Sequence, residues 1–301
     1  MGSSRIVAIF GATGLQGSAV ARELLKDGTF TPRAITRNPG SEAALKLKEE
    51  GIEVVKGDAL DKASLVEALR GSEAVTVPIF PLQAEGEGPN EIVQGKNMVD
   101  AAKEAGVQFF IFTSLPDMTK LSGGKYKNVV YFDQKAVVEE YLRSSGLKNV
   151  SLHLGMFLEN YWLFGWLKKM ASGKFNLTVP NLPTDKAAFT WVERDIPAVV
   201  RALLNNYSDS TKNISGKVYP IVSGNISYCE LAALTGNVLS AEVTFHTAPP
   251  FGVTALDEMY KAFGEFDGIL PATPVADFEA LGVKTGTIQE FLKTKVKPRF
   301  E

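Results

Sequence analysis

The sequence predicts a doubly wound parallel α/β sheet with a smaller, mostly helical C-terminal lobe, and three observations carry that reading. Apolar runs of strand length alternate with stretches of helical periodicity from residue 5 to residue 155. Runs such as "QFFIF" (108–112) show no polar alternation, as expected of strands covered by helices on both faces. A glycine-rich turn, "FGATGLQGSAV" (10–20), follows the first run and opens a helix, which is where this architecture binds ligands.

Taken in order, "RIVAIF" (5–10) is the first strand, and Leu15 to Asp27 a helix with Ala19, Val20, Leu24 and Leu25 as its apolar positions. The next strands are "RAIT" (33–36), "IEVVKGD" (52–58), "AVTVPIF" (74–80), "VQFFIFTS" (107–114) and "VSLHLG" (150–155). Beyond residue 155 the rhythm changes. "FLENYWLFGWLKKM" (157–170) is dense in aromatics, "KFNLTVPNLP" (174–183) reads as an extended excursion, and "TWVERDIPAVVRALLNN" (190–206) as a capped helix with Asp195 near its start. "KVYPIVSG" (217–224) is a strand expected to return to the sheet. "FGVTALDEMYKAFGEFDG" (251–268) and "TIQEFLKTKV" (287–296) read as helices of a lobe closing over the strand ends. The expected division is 1–155, with 186–224 returning to it, as the nucleotide-binding domain, and 156–185 with 225–301 as a substrate or partner lobe.

Composition narrows the function. The 301 residues are 45% hydrophobic, enough for one large α/β core and an appendage. With 32 Lys and Arg against 34 Asp and Glu, there is no basic field to attract nucleic acid. No apolar stretch approaches the length of a membrane span, and "IVAIF" is too short for a signal-peptide core. Cys229 is the only cysteine and there are two histidines, so no metal-ligand spacing exists, and a cytoplasmic location is expected.

Gly11, Gly14 and Gly17 form G-x-x-G-x-x-G between strand and helix. In turn they suit a tight bend, close approach of backbone to a pyrophosphate, and close packing of helix on strand. The intervening Thr13, Leu15 and Gln16 stand at the helix start, where amides and the helix dipole meet phosphate. From Gly17 to Arg37 is twenty residues, the distance at which an acidic residue contacts a ribose hydroxyl or a basic one a 2′-phosphate. Arg37, in "TRNPG" with Asn38 beside it, is basic and favours NADP(H), with Lys56 a second candidate for the same phosphate.

These stretches, with "GATGLQG", "TRNP", "VVKGD", "FTSLPD", "YFDQKAVVEEYLRSSGL", "LHLGMFLENY" and "WVERDI", resemble, in order and nearly end to end, the NmrA-like family. Its members are atypical extended short-chain dehydrogenase/reductases on a Rossmann fold, related to isoflavone-reductase-like enzymes. The resemblance implies that Asp58, with Ala59 beside it, lies by the adenine, that Pro78 and Phe80 lie near the ribose, and that Thr113 and Gly155, Met156 and Phe157 border the cofactor. It leaves two activities open, since some members resemble working reductases and others are cofactor-binding sensors that bind protein partners.

The catalytic candidates bear on that choice. In short-chain reductases a Tyr and a Lys four residues apart share a helix face, the Lys activating the phenol that protonates the reduced oxygen while a Ser steadies it. Tyr131, Lys135 and Ser114 fit these roles, although Tyr131 follows Ser114 by only seventeen residues. If Asp133 is the helix N-cap, Tyr131 precedes the helix and the pair does not share a face. Lys135 also matches the lysine that isoflavone-reductase-like enzymes use without a Tyr. Phe157, Tyr161 and Trp162 lie where a pocket for a small hydrophobic or aromatic substrate belongs, or else form lobe core. The reading is an NADPH-dependent reductase of C=O or conjugated C=C bonds; the alternative is a redox sensor, and a homodimer or protein partner is compatible with either.

Overall fold

The computed structural model describes residues 5–78, 91–273 and 275–300, and its centre is a seven-stranded parallel sheet. The first half of the chain supplies β1 (Ile6–Phe10), α1 (Leu15–Asp27), β2 (Thr31–Thr36), α2 (Glu42–Glu49), β3 (Glu53–Lys56), α3 (Lys62–Leu69), β4 (Ser72–Val77), α4 (Glu91–Glu104), β5 (Phe109–Ser114), α5 (Met118–Leu121), α6 (Val130–Ser144) and β6 (Lys148–Leu154). The second half adds β7 (Met156–Phe157), α7 (Asn160–Leu163), β8 (Leu167–Lys169), β9 (Phe175–Val179), β10 (Lys186–Thr190), α8 (Val192–Asn206), β11 (Val218–Ile221), β12 (Gly224–Ser227), α9 (Tyr228–Leu239), β13 (Val243–Thr247), α10 (Thr254–Glu265), α11 (Val275–Ala280) and α12 (Ile288–Phe291).

Strand order across the large sheet is β11-β6-β5-β4-β1-β2-β3. The order reverses between β1 and β4, and in sheets of this kind ligands bind outside the carboxyl ends of the strands at such a point. Both faces are covered because successive side chains point opposite ways. Phe109 and Ile111 join the core beneath α1 and α8, while Phe110 and Phe112 join the one beneath α3, α4 and α6. The strand 218–221 does return to the sheet, pairing parallel to β6 with Pro220 opposite His153.

The C-terminal part contains α10 and α12, within the two stretches read as helices, and α9, which no stretch singled out, together with two small sheets, β12-β10-β7 and β13-β9-β8. Within 186–224, α8 packs against α1 and β11 joins the large sheet, whereas β10 and β12 pair with each other in a small one. Among the described residues no helix is long and apolar enough to cross a membrane.

Candidate functional site

The turn after β1 is shaped by glycine. Gly11 takes φ +57°, a left-handed conformation that side chains disfavour, and lies so close to Pro78 at the end of β4 that a Cβ would come within 2.9 Å of its ring. At Gly17 a Cβ would stand 2.5 Å from the Gly11 carbonyl oxygen, so α1 can rest on the turn only without one. Gly14 is the N-cap of α1, and no side chain caps that end. Among the described residues a Cβ there would meet only the Gly11 oxygen, at 3.4 Å, an ordinary contact.

Neighbouring elements bring further sequence candidates to this edge. The Gln16 side-chain amide donates to Thr113 Oγ1 at 2.6 Å, tying the first turn of α1 to the end of β5. Arg37 follows the last residue of β2, Thr36, which stands beside Lys56 in register. Both cations are exposed, and neither makes an ion pair among the described residues. Asn38 turns the chain through a bond from the Gly40 amide to its Oδ1, 3.1 Å. Asp58 accepts from the Leu60 amide at 3.0 Å, and the Ala59 carbonyl accepts from Asn97 Nδ2 at 2.9 Å. Gly155 donates to Thr190 Oγ1 at 2.8 Å, Met156 is buried, and Phe157 packs half-buried on the core under α8. Phe80 lies outside the described residues.

Tyr131, Lys135 and Ser114 are not brought together as a triad. Tyr131 is inside α6, one turn before Lys135, so the two do share a helix. Its hydroxyl turns into the lobe, donating to the Ala255 carbonyl at 3.3 Å and lying 3.1 Å from Met259 Sδ. Burial, with Tyr260 nearby, pushes the phenol up, opposite to the activation that an adjacent ammonium would provide. Lys135 Nζ, almost fully enclosed, bonds Glu91 Oε2 at 2.7 Å and the Tyr131 carbonyl at 3.3 Å. Ser114 is enclosed at the end of β5. Burial pushes the nearby Glu139 carboxyl up, but contacts with His153, Ser114 and Arg143 hold it below the usual carboxylate range. Shared helical spacing fixes the Cα positions of Tyr131 and Lys135; the apolar surface of α10 and the carboxylate on α4 decide where their polar ends go.

Asp133 is not the N-cap of α6. That position is Val129, and Asp133 reaches across to α5, accepting from the Met118 and Thr119 amides at 2.7 and 3.1 Å. Asp195 likewise does not cap α8: its two carboxylate oxygens accept from Gly286 N and Ser223 Oγ, each at 2.8 Å. The cap comes from Glu159, whose oxygens accept from Val192 N at 3.2 Å and Glu193 N at 3.0 Å. Of the two readings of the aromatic stretch, Tyr161 and Trp162 take that of lobe core rather than pocket wall. Tyr161 is fully buried with its hydroxyl 2.6 Å from Thr235 Oγ1, and Trp162 stacks on Phe291 with Arg299 over its ring, so both serve lobe packing.

Sequence reading misses Glu91 and Glu159, each paired with residues far along the chain. Burial pushes the Glu159 carboxyl up to about 7, although the two amides it caps pull it down. A folded-state pKa above the ordinary 4.5 means that stability from this group is complete below about pH 4.5 and is lost as pH rises through 7. Between pH 5 and pH 8 the wild type should therefore lose about 2 kcal/mol relative to Glu159→Gln. Thermal melts of both proteins at the two pH values check this, and parallel changes would refute it.

Among the described residues no group of three or more His, Cys, Asp or Glu side chains is placed to hold a metal ion. A family model described as "NmrA-like family" matches residues 3–292. The chain is 31% identical over 285 residues to the NmrA-like family domain-containing oxidoreductase hkm9 of Aspergillus hancockii, covering 87% of this chain and 82% of that protein. Among solved structures it is similar to NmrA, a negative transcriptional regulator, in complex with NADP, with TM-score 0.80 and 22% identity over 98% of this chain and 96% of that one. It is also similar to the NADPH-dependent quinone oxidoreductase QOR2 of Escherichia coli complexed with NADPH, with TM-score 0.70 and 25% identity over 95% and 98%.

Proposed function

We propose, from the premise that the chain belongs to the NmrA-like family, that it is an NADP(H)-dependent reductase of the short-chain dehydrogenase/reductase type. Its substrate would be the C=O or conjugated C=C bond of a small hydrophobic molecule. The observation that carries this reading is Lys135, an enclosed lysine of α6 whose Nζ is held by the Glu91 carboxylate.

The residues present fit the cofactor. The lack of crowding at Gly14 among the described residues, the uncapped start of α1 and the tight approach at Gly17 suit a pyrophosphate, which Gly11, Thr13, Leu15 and Gln16 would surround. Arg37, with Asn38 and Lys56 beside it, would take the 2′-phosphate, while Asp58, Pro78, Thr113 and Gly155 to Phe157 would line the rest. When bound, NADPH supplies the reducing equivalents. The protein supplies position and a proton. Lys135 Nζ has three donors, and among the described residues Glu91 and the Tyr131 carbonyl engage two of them, so the third would serve the substrate or the ribose. This assigns the proton to Lys135 and a packing role to Tyr131, while Ser114 supports α6 through Glu139.

Two measurements separate the cofactor and proton parts. Arg37→Ala should weaken NADPH binding roughly 10- to 150-fold and leave NADH nearly unchanged, because a charge-assisted contact is worth about 1.5 to 3 kcal/mol. Equal losses for both cofactors by calorimetry would make Arg37 structural. Tyr131→Phe should change kcat by less than about threefold and lower stability by about 1 kcal/mol, since it removes one buried hydrogen bond. A kcat loss of roughly 100-fold or more would return the proton to Tyr131.

The test of function is NADPH consumption against aldehydes, ketones, enones and quinones, with a cofactor-dependent pull-down run alongside. The second reading, a cofactor sensor without turnover, is favoured by the Tyr131 hydroxyl being committed to the lobe. Tight NADPH binding with no turnover across the panel would establish it.

A further inference from the structure

We propose that Glu91 is the positioning residue of Lys135, fixing where its Nζ sits and keeping it an ammonium; this rests on the reading that Lys135 is the proton source. The two residues are brought together by helix packing. Gly95 lies one turn after Glu91 on α4, and a Cβ there would stand 2.5 Å from both Val138 methyls on α6. Only glycine allows α4 so close. Val138 is three residues after Lys135, so the contact that seats Gly95 also sets Glu91 against Lys135. A second tie holds the register, since the Glu91 backbone amide donates to Gln134 Oε1 at 3.0 Å.

The pair is poorly explained as a stabilising contact. Among the described residues Glu91 Oε1 is buried without a hydrogen-bond partner, which is costly, and a buried ion pair is often less stable than apolar groups of the same volume. Burial pushes the Glu91 carboxyl up and the Lys135 ammonium down, while each partner opposes that effect on the other. Other charges around α6 are committed elsewhere. Glu139 pairs with His153 of β6 and with Arg143, Asp133 with α5, Lys96 of α4 lies over the Tyr141 ring, and Glu258 and Glu265 of α10 engage Asn128, Tyr126 and Lys125. Removing the Glu91 charge thus leaves desolvation of Lys135 unopposed, and Lys135 becomes neutral at a lower pH.

The experiment is an NMR titration of protein carrying 13C-labelled lysine, with the Lys135 signal assigned by its loss in Lys135→Met. In Glu91→Gln the Lys135 midpoint should move to lower pH, and Glu91→Asp, which keeps the charge at shorter reach, should recover part of the shift. An unchanged midpoint in Glu91→Gln overturns the proposal. Should that variant not fold, Glu91→Asp alone decides, since its midpoint must still fall below the wild type's. With any substrate that is turned over, kcat of Glu91→Gln should fall roughly tenfold more than the wild type's between pH 6 and pH 8, with KM for NADPH little changed. A moved midpoint without turnover keeps Glu91 as the positioning residue and discards the reductase reading; turnover with an unmoved midpoint does the reverse.

Discussion

Gly14→Val should abolish NADPH binding while the protein remains folded. The distinction among the three glycines of the turn makes this sharp. Valine at Gly17 would collide with the turn's own backbone, and at Gly11 it would be forced into left-handed φ, so either change would damage the turn itself. Gly14 has φ −94° and ψ 175°, ordinary extended values, and none of the described residues crowds its missing Cβ. The branched side chain would project into the space a pyrophosphate needs, and the structural penalty is only that of a poorer N-cap, about 1 kcal/mol. Calorimetry should detect no NADPH binding, with an unchanged circular dichroism spectrum. Normal binding by the folded variant would mean that this turn is not the phosphate site.

Lys135→Met should reduce kcat by roughly 10² to 10⁴, the range for loss of a general acid, and should also weaken NADPH. Methionine preserves much of the stem volume, so the core under α6 stays filled. What is lost is the ammonium, leaving Glu91 enclosed without its counter-ion. Because burial already pushes that carboxyl up, Glu91 can take a proton, and the loss of stability should stay below the roughly 3–5 kcal/mol of an uncompensated buried charge. Steady-state kinetics with a melt at pH 6 checks both parts. Full activity in Lys135→Met would remove the lysine from the chemistry.

The large sheet is legible in the sequence because its signals are local. Uninterrupted apolar runs such as Phe109 to Phe112 require cover on both faces, and the spacing of Gly11, Gly14 and Gly17 reports the turn from within seven residues, although Gly11 is also crowded by the distant Pro78. Partners across long separations are not legible. Glu91 reads as an ordinary acidic residue until α4 is packed on α6, and Glu159 sits among aromatics with no sign that it caps a helix starting at Val192. The direction of Tyr131 is decided by Ala255 and Met259, more than 120 residues later. The aromatic run from Phe157 to Trp166 shows the same limit. Its density announces burial, but whether Tyr161 lines a pocket or fills a core depends on Thr235 and Phe291, which no periodicity connects to it.

Pro220, placed in the outermost strand β11, bears on how this protein behaves at high concentration. A proline has no N–H to offer a further strand, and at the sheet's other margin β3 is only four residues long and carries Glu53 and Lys56. Both margins are poor templates for edge-to-edge pairing, so the sheet resists growing into aggregates through its backbone. Replacing Pro220 with valine would restore a donor and a β-forming side chain at that margin, and the chain would then have one open edge at which copies can add.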